Sequence, residues 1–192
     1  MPDPRQPDFT ARAADEVIGI LERTEGRAFV LFTSYASLGA VRERVARALP
    51  YPLLTQGTAP RGVLLETFKR TPNAVLFATS SFWQGVDVVG DALSCVIIDK
   101  LPFASPGDPI VAARLEAIAA RGGDPFGSLQ VPLAILTLLQ GLGRLLRHRD
   151  DRGVLAILDP RIQTMGYGRR FLASLPPAPI TRELDDIARF MR

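Results

Sequence analysis

Cysteine is nearly absent from this 192-residue chain: Cys95 stands alone, inside the apolar run Leu93 to Ile98. One thiol forms no disulfide within the chain and makes no cysteine-ligated zinc or iron-sulfur site by itself. Long apolar stretches are missing too. The longest, Val131 to Leu139, is interrupted by Thr137 and stopped by Gln140, well short of the ~20 residues that cross a bilayer, so no membrane span is expected. Histidine occurs once, at His148, with no Ser, Cys or metal-ligand partner at useful spacing, and no metal site is predicted. No signal-peptide pattern opens the chain, and with a single cysteine the expected location is a reducing cytoplasm. Lysine is confined to Lys69 and Lys100, so nearly all positive charge is arginine, which suits bidentate phosphate contacts.

What is present points to one globular domain. Hydrophobic residues make up 47% and charged residues 22%, a balance that excludes a disordered scaffold and lets burial supply stability. The excess of 23 basic over 20 acidic residues, +3, permits an anionic partner without demanding one. Three prolines and no apolar period precede Phe9, so residues 1–10 read as a linker or tether and 11–192 as the domain. Ala11 to Glu22 carries Val17, Ile18 and Leu21 at helical spacing, and Gly26 stops that helix ahead of the run Ala28 to Thr33.

Similar runs recur at Ala74 to Ala78, Leu93 to Ile98 and Val154 to Leu158. Runs without polar alternation suit parallel strands covered on both faces. Helical patterns separate them: Leu38, Val41, Val45 and Leu49; Leu64, Leu65 and Phe68; Ile110 to Ala120; and Val131 to Leu146. Strands alternating with helices predict an α/β three-layer sandwich, with a mostly parallel central sheet and helices on both faces. In such sheets ligands lie outside the carboxyl ends of the strands, here Thr33 to Ala36, Thr55 to Thr58, Ala78 to Asp87, Asp99 to Pro106 and Asp159 to Arg161. Asp108 is expected to cap a helix starting at Pro109, and Thr181 a closing helix that contains Leu184 and Ile187.

A phosphate loop is lacking. Gly57 to Gly62 has the glycine spacing, but Val63 and Leu64 stand where the lysine and hydroxyl must be, and no acidic pair follows a strand to hold magnesium. Three other segments carry possible chemistry. In Gln140-Gly-Leu-Gly-Arg144-Leu-Leu-Arg147, a rotation of ~100° per residue brings Gln140, Arg144 and Arg147 within ~60°, opposite Leu138, Leu142, Leu145 and Leu146. That stripe is either a clamp for developing polyphosphate charge or a solvated face paired to Asp150 and Asp151. In Ala78-Thr-Ser-Ser-Phe-Trp-Gln-Gly-Val-Asp87, hydroxyls and free N–H groups suit phosphate oxygens, Gly85 allows close backbone approach and Asp87 suits a ribose hydroxyl. The bland alternative is a polar turn with Phe82 and Trp83 as core anchors. In Phe32-Thr33-Ser34-Tyr35 a hydroxyl caps the following helix, whose N-terminus either binds a DNA phosphate or is simply capped.

In this order, FTSY, ATSSFWQGVD and QGLGRLLR resemble motifs IV, V and VI of superfamily 2 helicases, in particular the DinG and XPD branch. The likeness extends over Ala28 to Arg170 and includes DKLPF, LDPR at Leu158 to Arg161, and Tyr167-Gly168-Arg169-Arg170. It implies the second RecA-like motor domain of an ATP-dependent DNA helicase that moves 5′ to 3′ on single-stranded DNA. The phosphate-binding lysine and the Mg2+ carboxylates would belong to a first RecA-like domain of the same polypeptide, with any iron-sulfur domain inserted there rather than in this chain. Carried over by position, Arg144 and Arg147 are arginine fingers positioned by Gln140, and Gln84, Gly85 and Asp87 meet ATP. Thr33, Ser34, Thr79 and Ser80 contact DNA. Many relatives carry Glu where Gln84 stands, a departure from the family pattern. The isolated chain is expected to be inactive. Two other readings use the same residues: a single-stranded nucleic-acid binding module without ATP chemistry, and a regulatory partner-binding domain.

Overall fold

A computed structural model describes residues 1–79, 82, 92–105, 107–143, 145 and 152–191. Five strands form one parallel sheet in the order β2-β3-β1-β4-β5, where β1 is Ala28–Phe32, β2 Leu53–Thr55, β3 Val75–Thr79, β4 Cys95–Ile98 and β5 Val154–Ile157. β1 is central, with Phe29 opposite Leu76 of β3 on one side and Val96 of β4 on the other. The three inner strands are buried along their whole length, which is why each reads as an unbroken apolar run. β2 and β5 close the edges and are only partly buried, although the run at Val154 reads as apolar as the inner ones.

Successive residues of a strand face opposite ways, so each inner strand feeds two cores. Phe29, Leu31, Leu76, Ala78, Val96 and Ile98 pack against α3 (Arg61–Arg70), α5 (Val131–Leu142) and α7 (Gly168–Ser174). Ala28, Val30, Phe32, Val75, Phe77 and Ile97 pack against α1 (Phe9–Thr24), α2 (Tyr35–Ala48) and α8 (Leu184–Met191). This is the expected three-layer sandwich. Phe29 and Phe68 meet at 4.7 Å between ring centroids, and Phe32 stacks on Phe77 at 6.1 Å. Rings buried in this way stabilise by roughly 1.5–3 kcal/mol each relative to exposure. Cys95 lies in the second core, where burial pushes its thiol up to about 12, so it stays protonated and inert.

α1 begins at Phe9, ahead of the predicted Ala11, because the Phe9 ring is itself buried one turn before Ala13. The helix ends where Glu25, Gly26 and Arg27 all take positive φ. A Cβ on Gly26 would stand 2.1 Å from the Asn73 carbonyl oxygen, so only glycine lets this turn pass beneath the entry to β3. Gly168 is constrained by proximity instead. Its Cβ would meet the Ile162 carbonyl at 2.0 Å, where the short helix α6 (Arg161–Thr164) abuts α7.

The predicted Asp108 cap is present, whereas Thr181 forms a turn that ends one residue before α8 starts at Leu184. The Asp108 carboxylate accepts from Ile110 N and Val111 N at 2.9 and 3.2 Å and starts α4 (Pro109–Ala120), and Thr181 Oγ1 accepts from Glu183 N ahead of α8. α4 buries none of its residues. A π-helical turn, Phe126–Gln130, leads into α5. No described helix is long and apolar enough to cross a membrane.

Candidate functional site

The chain leaves β1 through α2 toward one edge of the sheet and leaves β4 through α4 and α5 toward the other. The carboxyl ends of these neighbours therefore flank a topological switch point, the place where open α/β sheets bind ligands. Thr33, Ser34 and Tyr35 leave β1 there, Gln56 leaves β2, Thr79 ends β3, Asp99 leaves β4 and Asp159 leaves β5.

Ser34 has extended backbone and caps α2, its Oγ accepting from Ser37 N at 3.2 Å. Thr33 and Ser34 are both exposed, so the partial positive charge of a 14-residue helix opens to solvent beside two hydroxyls. Thr79 is buried. Its N–H and Oγ1 donate to Gln56 Oε1 at 2.7 and 3.0 Å, which turns the hydroxyl toward β2. Phe82 is buried and held by Arg61, whose guanidinium donates to the Phe82 carbonyl at 2.9 Å and lies 5.1 Å from its ring.

Asp99 joins the β1 and β4 exits. Its Oδ1 accepts from Thr33 N at 3.1 Å and Lys100 N at 2.7 Å, while Oδ2 is buried with no hydrogen-bond partner. Burial pushes this carboxyl up to about 7, against the opposing pull of the Lys100 charge and of the two N–H donors. The acid thus holds its proton more tightly folded than unfolded, and folding takes up a proton between roughly pH 4 and 7. The Asp99 contribution to stability accordingly falls as pH rises through that window and stays lost above it. Asp99→Asn is expected to remove this dependence, so melting of the wild type minus that of the variant should fall from pH 5 to pH 8. A difference constant with pH would overturn the assignment.

Asp159, fully buried, forms the deepest ion pair among the described residues. Arg161 donates to Oδ1 from N and Nε at 3.0 and 2.9 Å and to Oδ2 from Nη2 at 2.6 Å, and Leu101 N donates to Oδ2 at 2.9 Å. The pair ties the β5 exit to the loop after β4. The Arg161 guanidinium also lies 5.7 Å from the Phe103 ring, which meets Phe126 and Tyr167 at 5.4 and 5.5 Å.

Gln140 is exposed on α5 while Leu138 and Leu142 are buried, but α5 ends at Leu142 with Gly143 as its C-cap, four residues short of the predicted Leu146, and the buried Leu145 lies in a turn beyond it. Arg144, Arg147, His148, Asp150, Asp151, Ser80, Trp83, Gln84, Gly85 and Asp87 lie outside the described residues. Of the expected site residues, Thr33, Ser34 and Thr79 come together at one sheet edge, and Gln140 is on the helix that covers one face. Gln56, Asp99 and Asp159 fall within the strand exits expected to bear ligands but had no individual role in the sequence reading, and Arg61 had none. Their signal was positional: Gln56, Asp99 and Asp159 each stand just beyond the carboxyl end of a strand.

The helicase C-terminal domain family matches residues 17–178. The ATP-dependent DNA helicase YoaA of Escherichia coli (strain K12) is 50% identical over 191 residues, 100% of this chain and 30% of that protein. The ATP-dependent helicase DinG of Mycobacterium tuberculosis (strain ATCC 25618 / H37Rv) is 43% identical over 176 residues, 92% of this chain and 26% of that protein. The chain therefore spans about a third or less of the length of these relatives. A solved XPD helicase superposes with a TM-score of 0.69 at 20% identity, covering 92% of this chain and 32% of that one, and shares its RecA-like fold. The chain belongs to the helicase C-terminal domain family, as a RecA-like domain homologous to those of the YoaA and DinG helicases.

Proposed function

We propose that this chain is the second motor domain of an ATP-dependent DNA helicase that moves 5′ to 3′ on single-stranded DNA. The observation that carries the proposal is the gathering of Thr33, Ser34 and Thr79 at the carboxyl edge of the sheet, within a chain 50% identical along its length to a domain of a DNA helicase. ATP, with Mg2+, is substrate in a cleft completed by the first RecA-like domain of the same polypeptide. Arg144 and Arg147 act as fingers toward the γ-phosphate, Gln140 positions them, and Gln84, Gly85 and Asp87 meet the nucleotide. Phosphoryl transfer spreads charge over the transferring group, and guanidiniums fixed in advance stabilise that charge without reorganising.

Thr33, Ser34 and Ser80 hold the DNA backbone through phosphate contacts, which makes binding salt-sensitive and tolerant of sequence. Thr79, expected to join them, is buried and donates both its N–H and its hydroxyl to Gln56, so its part is to anchor the β3 exit. Closure around ATP and opening after hydrolysis move this grip relative to that of the first domain, so nucleotide state becomes stepping. The test is strand displacement by the full-length polypeptide on duplexes with a 5′ or a 3′ single-stranded tail. ATP-dependent unwinding of the 5′-tailed substrate alone is expected, and no turnover by the 192-residue chain on its own. Unwinding only from the 3′ tail would overturn the direction, and steady hydrolysis by the isolated chain would overturn the shared site.

A further inference from the structure

β2 is a three-residue edge strand, and Gln56 extends its ladder by one bond, donating its N–H to the Phe77 carbonyl at 2.9 Å. With its backbone fixed beside β3, the side chain reaches across the ends of two other strands. Oε1 accepts from both Thr79 N and Thr79 Oγ1, and Nε2 donates to the Tyr35 hydroxyl at 2.8 Å. The orientation of the amide is dictated by its surroundings, because Thr79 N is a donor and must face the oxygen. The nitrogen then faces Tyr35, whose hydroxyl accepts. One side chain thus joins the exits of β1, β2 and β3. The same loop reaches the next turn through Arg61, which binds the Phe82 carbonyl at 2.9 Å and lies against the Phe82 ring.

We infer that Gln56 is a positioning residue that locks the β1 exit (Thr33 to Tyr35) to the β3 exit (Thr79), so that the two segments grip a single strand as one rigid unit. The inference rests on the DNA-binding function proposed above and adds to it the part that sets the spacing of the grip. Without the amide, the bonds from Thr79 N and Oγ1 to Gln56 and from Gln56 to the Tyr35 hydroxyl are gone, and this link between the two exits is cut. The backbone bond from Gln56 N to Phe77 does not involve the side chain, so the sheet itself survives the substitution.

The experiment uses the full-length polypeptide and two readouts: anisotropy of a fluorescein-labelled oligothymidylate without nucleotide, and ATP hydrolysis titrated with the same oligonucleotide unlabelled. Gln56→Ala should weaken oligonucleotide binding roughly 10-fold, the scale of lost hydrogen bonds in a coupled group. Hydrolysis at saturating oligonucleotide, and basal hydrolysis without it, should stay within about two-fold of wild type. Tyr35→Phe, which removes only the acceptor, should weaken binding by a smaller factor. The double variant should bind no worse than Gln56→Ala, since the two side chains act through one bond. Unchanged anisotropy in Gln56→Ala, a loss in the double variant equal to the product of the single losses, or equal falls in binding and in saturated turnover would each overturn the inference. Absence of oligonucleotide-stimulated hydrolysis in the wild type would overturn the proposed motor function instead, and anisotropy would still decide the role of Gln56.

Discussion

Arg144→Ala in the full-length polypeptide is expected to lower single-strand-stimulated ATP hydrolysis by about 10³-fold or more, with oligonucleotide affinity within about two-fold of wild type. The size follows from what arginine fingers supply, ~10³ to 10⁵ in turnover, because they meet charge that exists only in the transition state. The assignment itself is a proposal that rests on the position of Arg144 in the QGLGRLLR segment, two residues beyond the end of α5 at Leu142. Arg144→Lys should recover only part of the loss, since an ammonium keeps the charge but not the planar fork that holds two phosphate oxygens. The pair of readouts separates the possible roles. Normal turnover in Arg144→Ala would remove the finger assignment, whereas lost affinity with normal saturated turnover would place this arginine on the DNA.

The second large effect is on folding. Arg161→Met should destabilise the chain by about 3 kcal/mol in urea unfolding, the lower part of the range for stranding one partner of a buried pair. Asp159 has no solvent exposure and would keep two backbone donors, Leu101 N and Arg161 N, while losing its counter-charge and the side-chain fork. The guanidinium keeps partial exposure, which places the loss toward the low end. Asp159→Asn combined with Arg161→Met should recover part of that stability, because no bare carboxylate is left in the core. A loss under about 1 kcal/mol in the single variant would show that this pair contributes no more than one at the surface.

The sequence disclosed the sheet better than its edge chemistry. The inner strands are apolar throughout because both faces are covered, although the partly buried β5 carries as apolar a run and was not told apart from them. β2 gave no such run, since three partly buried residues at an edge need no continuous hydrophobicity, and only its exit was anticipated. Ser34 and Asp108 were legible as caps because a cap and its helix are adjacent in sequence. Gln56, Asp99 and Asp159 were not, because their partners are remote. Gln56 meets Thr79 across 23 positions, Asp99 meets Thr33 across 66, and Asp159 meets Leu101 across 58. A side chain that waits for a distant strand to arrive leaves no local pattern. Its trace in the sequence is a polar residue at the point where an apolar run stops, as Asp99 follows Ile98 and Asp159 follows Leu158.

β1 is the first of these five strands in chain order, and it gains its second neighbour only when β4 is made. Its hydrogen bonds run to β3 and β4, and β4 begins 63 residues after β1 ends, from Phe32 to Cys95. At about 5–20 residues per second, translation needs roughly 3 to 13 seconds to supply that partner. Throughout that interval Ala28–Phe32, among the most apolar segments of the chain, has one ladder edge unpaired. α1 and α2 are made early and pack on one face of this strand, so a half-sandwich shelters the nascent centre of the domain before the opposite layer exists. Chain order thus sets an order of birth: α1 and α2 on one face first, β3 and β4 next, and β5, α7 and α8 last, so both cores close only when the final third of the chain has been made.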